Sequence, residues 1–284
     1  LPGFVEKSDL KGEDTELAGE LSDSGADVIK YNYDLRGILL RNENFDSKDF
    51  SLAMLDGASL RDTSLNSTKF AGASLTGADL VGAKMSGTNL YGADLSGAYL
   101  IRSNLSNSDF TEADLSHAHL GAALIENGRF IGEKLNGVNL IAANLTGSDL
   151  QGVDISSSKL MSAILIKAKM SGADIGKSDL SFADLSQADL SGATLRGANL
   201  KSANLKGALL VHADFTDADL EGCDLSGANL SGTTLDKIKM SDVNLQDTSL
   251  KGARLTDSDF DRSNFAGAYL SGKVMENVAM NSAN

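Results

Sequence analysis

The feature that most constrains this chain is a large apolar residue at every fifth position. Every residue whose number is a multiple of five, from Leu35 to Met280, is Leu, Phe, Ile or Met. These fifty positions follow one another without a break or a change of register. A repeat of five matches neither the 3.6-residue period of an α-helix nor the two-residue period of a β-strand. The chain is therefore expected to turn a corner every five residues.

Other positions in the repeat limit how the corners are built. The residue two before the large one is small in most repeats, as at Ala78, Ala98 and Ala188, and the residue between them is often Asp or Asn. Residues two apart point to the same side of an extended backbone, so both are predicted to face inward. Glycine often follows the large residue by two positions, as at Gly77 and Gly92, where it suits a tight corner. Four corners close a square coil of twenty residues, and stacked coils pair their backbones about 4.8 Å apart.

Runs such as "ADLSGAYL" and "ANLKSANLKGA" resemble the pentapeptide-repeat family. The resemblance covers residues 31–284 and implies an all-β fold, a right-handed quadrilateral parallel β-helix (a pentapeptide-repeat solenoid) of about 12 coils. The family includes gyrase-protecting DNA mimics, secreted bacterial effectors and thylakoid-lumen proteins. The resemblance therefore implies the fold and leaves the function open.

The N-terminal segment, residues 1–30, lacks the repeat and carries eight acidic and three basic residues. We expect it to form either an acidic non-repeat leader or a cap over the first coil. Tyr33, Ile38, Glu43 and Lys48 occupy small-residue positions, so the first one or two coils are predicted to be irregular. The chain begins with Leu rather than Met, which fits a removed targeting peptide or an incomplete start. Localisation stays open between a bacterial cytoplasm and a processed lumenal (thylakoid) or secreted protein.

Composition argues against several classes of function. The net charge of −14 disfavours direct binding to nucleic-acid phosphates, and no apolar run is long enough to span a membrane. We expect no enzyme activity, no cofactor and no metal site, because no phosphate-binding loop, Cys pair or nucleophile–base pair is evident. The three histidines, His117, His119 and His212, are predicted to lie on the surface. Cys223 falls at an inward small-residue position and is interpreted as a core residue.

The many Asp residues admit three interpretations. They could imitate the phosphates of DNA, as in the gyrase-protecting branch of the family, or bind calcium. They could also bond to corner backbone amides and keep the protein in solution. Basic residues such as Lys159, Lys169 and Lys239 interrupt the Asp ladders, which disfavours a continuous acidic face.

Outward apolar residues indicate a partner site. Several of them fall on one predicted side of the coils or just around its corner. Because residues twenty apart are stacked on successive coils, they should form one stripe across about six coils. Contiguous exposed apolar surface usually marks a protein contact, although scattered surface apolar residues are common. The predicted partner-binding residues are Val81, Tyr99, Ile101, Leu124, Ile141, Met161, Ile164, Ile166 and Phe182.

The sequence thus favours a non-catalytic, rod-shaped scaffold or complex subunit that docks protein partners, or self-associates, through this apolar stripe. The alternative is an acidic DNA mimic that binds a nucleic-acid enzyme such as a type II topoisomerase. Two structural predictions accompany this interpretation. Residues at multiples of five from 50 to 270 should be buried, and the charged Glu133 at a small-residue position should force a bulge near Gly132–Lys134.

Overall fold

The computed structural model describes residues 34–131, 135–272 and 274–284. The chain divides into two compact units, Leu1–Asn139 (unit 1) and Leu140–Asn284 (unit 2). The predicted leader or cap at residues 1–30, the position of Tyr33 and the predicted bulge around Glu133 lie outside the described residues.

Parallel backbone pairing at a spacing of twenty residues organises both units. Two short strands, β1 (Arg254–Thr256) and β2 (Val274–Glu276), pair in parallel. Elsewhere in the described part of the chain the pairing consists of single-residue parallel bridges, such as that between Asp79 and Tyr99. Within each unit the bridges recur at intervals of five residues, so the described coils have the four sides that the repeat predicts.

Within each unit, backbone hydrogen bonds between described residues join neighbouring coils and close the corners. The Leu60 amide donates to the Asp79 carbonyl on the next coil (2.7 Å), and the Ser59 amide donates to Ile38 on the preceding coil (2.7 Å). The Thr63 amide donates back to the Leu60 carbonyl (3.3 Å), which closes the corner. The residue two after each large one also donates to the next coil in most repeats. Four of the five amides in a repeat are thereby satisfied by the backbone itself.

The corners have the conformation of type II turns. The third residue of the corner has a positive φ, as at Gly77 (62°) and Gly92 (62°), where glycine was expected. Other residue types adopt the same conformation, including Asn107 (60°) and Phe182 (60°). A positive φ at this position, combined with the hydrogen bond from the fourth residue to the first, defines the turn type.

The frequent Asp and Asn residues satisfy the fifth amide of the repeat. The Asp94 carboxylate accepts a hydrogen bond from the Ser96 amide (2.9 Å), and Asp184 accepts one from the Ser186 amide (2.9 Å). A short acidic or amide side chain reaches the backbone two residues on, which a longer one does less readily. The interpretation that these residues bond to corner amides is therefore confirmed.

The core consists of the large residues at every fifth position and the small residues two before them. The predicted burial is confirmed from position 50 to Phe260 and is wrong at Phe265 and Leu270, which are half-buried. Met275 and Met280 are exposed. These four side chains belong to the coil of residues 265–284, which in the described structure is covered by the preceding coil alone.

The predicted irregularity of the first coils is wrong for the described residues. Ile38 is buried, Asn42 has the regular positive φ of 61°, and the Lys48 amide closes its corner on Phe45 (3.1 Å). The hydrogen bonds between coils use backbone groups, so they form whatever side chain fills the small-residue position. Glu43 and Lys48 are half-buried, and such long side chains can place a charged end in solvent.

Candidate functional site

The predicted partner-binding residues of unit 1 are not all exposed. Tyr99 and Leu124 are exposed and Ile101 is half-buried, as an outward position requires. Val81 is only 8% exposed, so its assignment to an exposed surface is wrong. Its position lies between those of Arg61 and Ile101 on the two adjoining coils, and the Arg61 side chain reaches across to Asp79 on the coil of Val81 (Nε to Oδ2, 3.1 Å).

The five predicted residues of unit 2 lie on three successive coils, and we call them the apolar cluster: Ile141, Met161, Ile164, Ile166 and Phe182. Met161 and Ile164 are each 37% exposed, Phe182 is 63% exposed, and the other two are half-buried. The Ala142 amide donates to the Met161 carbonyl (2.9 Å), which fixes the coil of Ile141 against that of Met161. The Ser162 amide donates to Ser181 (2.9 Å) and so places Phe182 on the adjoining coil. The cluster therefore stands on a backbone with fixed hydrogen bonds.

Phe182 is held in an unusual backbone conformation. Its φ of 60° is one that glycine adopts without strain and that costs an L-residue about 1–2 kcal/mol. Among the described residues of unit 2 it is the only large apolar residue with a positive φ. The ring gains little from burial, because most of it faces solvent. An exposed aromatic ring on a strained corner indicates a functional role more than a packing role.

A groove of about 450 Å³ opens beside this ring, and we call it the Phe182 groove. One corner column runs from Phe182 through Ser202 and Gly222 to Asp242 at intervals of twenty residues, and its small middle members leave the depression. The lining residues are Ser181, Phe182, Asn199, Lys201, Ser202, Glu221, Gly222 and Asp242.

Ion pairs line the polar side of the Phe182 groove. The Lys201 ammonium donates to the Glu221 carboxylate (2.9 Å) and lies 3.4 Å from Asp219. The hydrogen bond to Glu221 raises the pKa of Lys201 above its ordinary value. At the far end Arg262 donates through Nε to Asp242 (2.8 Å), and this bond lowers the pKa of that carboxyl group. Lys201 and Asp242 are therefore both charged at neutral pH.

Replacing Phe182 with glycine is expected to stabilise the folded protein. The change removes the cost of the positive φ, about 1–2 kcal/mol, while glycine adds roughly 0.5–1 kcal/mol of chain entropy to the unfolded state. A net gain of about 0.5–1 kcal/mol in the free energy of unfolding should follow, measured by chemical denaturation. Phe182→Ala, which keeps a side chain at the same φ, should show no such gain. A loss of stability in the glycine variant would show that the ring serves packing.

Basic residues neutralise parts of the Asp columns within each unit. In several columns a Lys or Arg lies one coil from an Asp and pairs with it, as in Lys69–Asp49 (3.6 Å), Arg129–Asp109 (3.7 Å), Lys169–Asp149 (3.8 Å) and Lys239–Asp219 (3.5 Å). Elsewhere an Asn amide bridges to the Asp of the adjoining coil, as from Asn204 to Asp184 (3.1 Å). In these columns a basic or amide side chain separates the like charges, whereas Asp94 pairs directly with Asp114, and Asp154 with Asp174, on adjoining coils.

The remaining candidate groups have structural surroundings. Cys223 is buried, donates to the Leu200 carbonyl (2.9 Å), and has its pKa raised by burial to about 12, so the core interpretation is confirmed. His117 and His212 lie exposed at corners with positive φ, and the His119 ring stacks on Tyr99 at 4.8 Å. Within the described ranges no group of His, Cys, Asp and Glu is arranged to hold a metal ion. The same ranges contain no helix with the length and apolar character needed to cross a bilayer.

Sequence analysis missed the polar side of the Phe182 groove. Phe182 stands in a column otherwise filled by residues that tolerate a corner, and the small Ser202 and Gly222 follow it at the coil repeat. That pattern was the available signal for a groove. Exposed Leu52, Tyr91, Ile131 and Tyr269 were also not singled out.

Comparisons with known proteins decide the family. The model described as pentapeptide repeats matches residues 53–91, 88–127, 129–160, 139–175, 178–217, 198–236 and 238–277. The chain belongs to the pentapeptide-repeat family. The right-handed quadrilateral β-helix that the family resemblance implied is accordingly confirmed. Members of this family are in general not enzymes.

Several solved structures of the family are similar to this chain. The pentapeptide-repeat protein HetL, involved in heterocyst differentiation regulation in the cyanobacterium Nostoc sp. strain PCC 7120, is 30% identical over 87% of this chain and 92% of its own, with a TM-score of 0.35. A pentapeptide-repeat protein of the Arabidopsis thaliana thylakoid lumen is 32% identical over 35% of this chain and 63% of its own (TM-score 0.16). QnrB1, a plasmid-mediated fluoroquinolone resistance protein, is 17% identical over 80% of this chain and 91% of its own, with a TM-score of 0.29. The chain matches no curated protein sequence.

Proposed function

We propose that this pentapeptide-repeat protein is a non-catalytic protein-binding module that docks a partner through the apolar cluster of unit 2. The observation that carries the proposal is the exposure of Met161, Ile164 and Phe182 on adjoining coils. Exposed apolar side chains gathered in one place are the usual mark of a protein contact.

The backbone beneath the cluster supports this function. The amides of Ala142 and Gly147 donate to the carbonyls of Met161 and Ile166 (both 2.9 Å), so the side chains project from a hydrogen-bonded scaffold. A surface that is ordered before binding loses little conformational entropy when the partner arrives. The apolar cluster is thus suited to act as a rigid docking face.

The acidic DNA mimic remains the alternative function, and the charge arrangement weighs against it. A mimic of the phosphate backbone needs an extended acidic face, whereas Lys169 and Lys239 pair with Asp149 and Asp219 along their columns. Most of the Asp carboxylates also accept a hydrogen bond from a corner amide, as Asp154 and Asp189 do. This structural role accounts for the number of Asp residues without a nucleic-acid enzyme as partner.

The test compares two double variants of unit 2. Met161→Glu with Ile164→Glu should reduce capture of the native partner from the source organism by at least about tenfold, because two charges would be buried in the contact. Leu209→Glu with Val211→Glu adds the same two charges on another side and serves as the matched control. Thermal melting checks that both proteins are folded.

The readout is the set of proteins whose recovery falls with the first double variant and not with the second. Self-association is followed in parallel by sedimentation, because a second copy is also a candidate partner. Equal recovery of every captured protein with both variants, and unchanged self-association, would contradict docking at the apolar cluster.

A further inference from the structure

The Phe182 groove joins an exposed aromatic face to carboxylates within one depression of unit 2. Phe182 stands at one end of the groove, and the next two residues of its corner column, Ser202 and Gly222, have small side chains. Coils are spaced about 4.8 Å apart, so these positions leave a space roughly two coils long beside the ring. The Glu221 carboxylate flanks that space, and about half of it is exposed (47%).

We propose that the Phe182 groove receives an arginine side chain of the protein partner, so that the partner's docking segment is basic as well as apolar. The inference rests on the proposed function, because the groove adjoins the apolar cluster through Phe182. It adds the chemistry of the segment that the cluster binds.

Arginine fits the groove better than other side chains for two reasons. Its planar guanidinium stacks on aromatic faces, and the exposed Phe182 ring offers such a face. Its fork of N–H donors matches a carboxylate, which Glu221 provides on the lining of the same groove. The net charge of −14 on the whole chain further favours the approach of a basic segment.

Lys201 already holds the position that the partner's arginine would take. Its ammonium donates to Glu221 (2.9 Å) and lies near Asp219 (3.4 Å). An exposed ion pair of this kind contributes little to stability, so a partner can displace it at small cost. When the arginine binds Glu221, Lys201 keeps Asp219 as its partner. Lys201 is therefore a competitor that lowers the affinity of the groove.

The test uses two synthetic peptides, acetyl-Leu-Arg-Leu-amide and the same peptide with citrulline, which has the shape of arginine without the charge. We expect the arginine peptide to bind the full chain roughly tenfold more tightly, as followed by NMR titration. The shifts should include the ring resonances that disappear in Phe182→Gly. Equal affinity of the two peptides, or no binding of either, overturns the proposal.

Variants of the groove separate specific binding from general attraction. Phe182→Gly and Glu221→Gln should each lower the affinity for the arginine peptide by roughly threefold to tenfold. Lys201→Met should raise the affinity for the arginine peptide by roughly threefold, because the competing cation is gone. Lys251→Met makes the same change in net charge on another side of unit 2 and should have little effect. The proposal fails if Lys201→Met gains no more affinity than Lys251→Met.

The two proposals can fail separately. Suppose that neither peptide binds, but the double variant Met161→Glu with Ile164→Glu captures less of the native partner. The arginine site is then wrong, and docking at the apolar cluster stands. If the arginine peptide binds as expected while that double variant changes no complex, the groove is a binding site and the apolar cluster is not the docking face.

Discussion

Replacing Leu190 with alanine is expected to lower the free energy of unfolding by about 2–5 kcal/mol. Leu190 is fully buried, and its amide and carbonyl join it to the adjoining coil and to its own corner. Truncation leaves a cavity that the coil cannot close, because those backbone bonds fix its distance from its neighbours. Leu190→Asp should cost more, since it buries a charge with no partner of opposite sign among its inward neighbours. The measurement is chemical denaturation of both variants.

Leu209 supplies the matched control for this prediction. It is a leucine of the adjoining coil, paired by its carbonyl with the Leu190 amide (2.7 Å), but its side chain is exposed. Leu209→Ala should change the free energy of unfolding by no more than about 0.5 kcal/mol. Equal losses at the two positions would contradict the inward register of the fifth residue.

Replacing Gly128 with valine is expected to cost about 1–3 kcal/mol through overpacking. A Cβ at Gly128 would lie 2.9 Å from Ile125 Cγ2 and 3.0 Å from Phe130 Cε2, closer than side chains pack. Phe130 cannot move away easily, because its ring stacks on Phe110 with centroids 4.5 Å apart. Denaturation of the variant gives the cost.

Gly92 serves as a comparison for Gly128, because glycine is favoured at the two positions for different reasons. Gly92 has a positive φ of 62°, and a Cβ at this position would meet no atom of another part of the chain within 4 Å. Gly92→Ala therefore tests backbone strain alone, and the change should cost about 1 kcal/mol. If Gly128→Val proved as harmless as a surface substitution, the tight packing against Ile125 and Phe130 would be wrong.

Much of the fold followed from the sequence, because a five-residue period with a small residue two before each large one admits few backbones. The inward positions of Leu190 and Cys223 and the corner at Gly77 were all readable from their place in the repeat. The bonding of Asp184 to a corner amide was one of three interpretations, and the hydrogen bond that Asp184 accepts from the Ser186 amide confirms that bonding. Local geometry decides each of these features within one or two repeats.

The candidate site was readable only in part. The outward direction of Met161, Ile164 and Phe182 follows from the repeat, since it depends on the period alone. The exposure of a given side chain does not, because it also depends on the sizes of the residues one coil away. Val81 illustrates this: the position is outward, yet the side chain is buried, and the Arg61 side chain of the adjoining coil reaches onto the coil of Val81.

The sequence by itself determined the period, the register, the inward residues and the corners, because these are set by contacts within a repeat and by one spacing between repeats. Tertiary structure alone decided which outward side chains are exposed, that Lys201 pairs with Glu221 beside Phe182, and that Phe265 and Leu270 are only half-covered. The physical reason is that these features depend on side-chain sizes and directions across adjoining coils. Residues twenty apart become neighbours only when the coils stack.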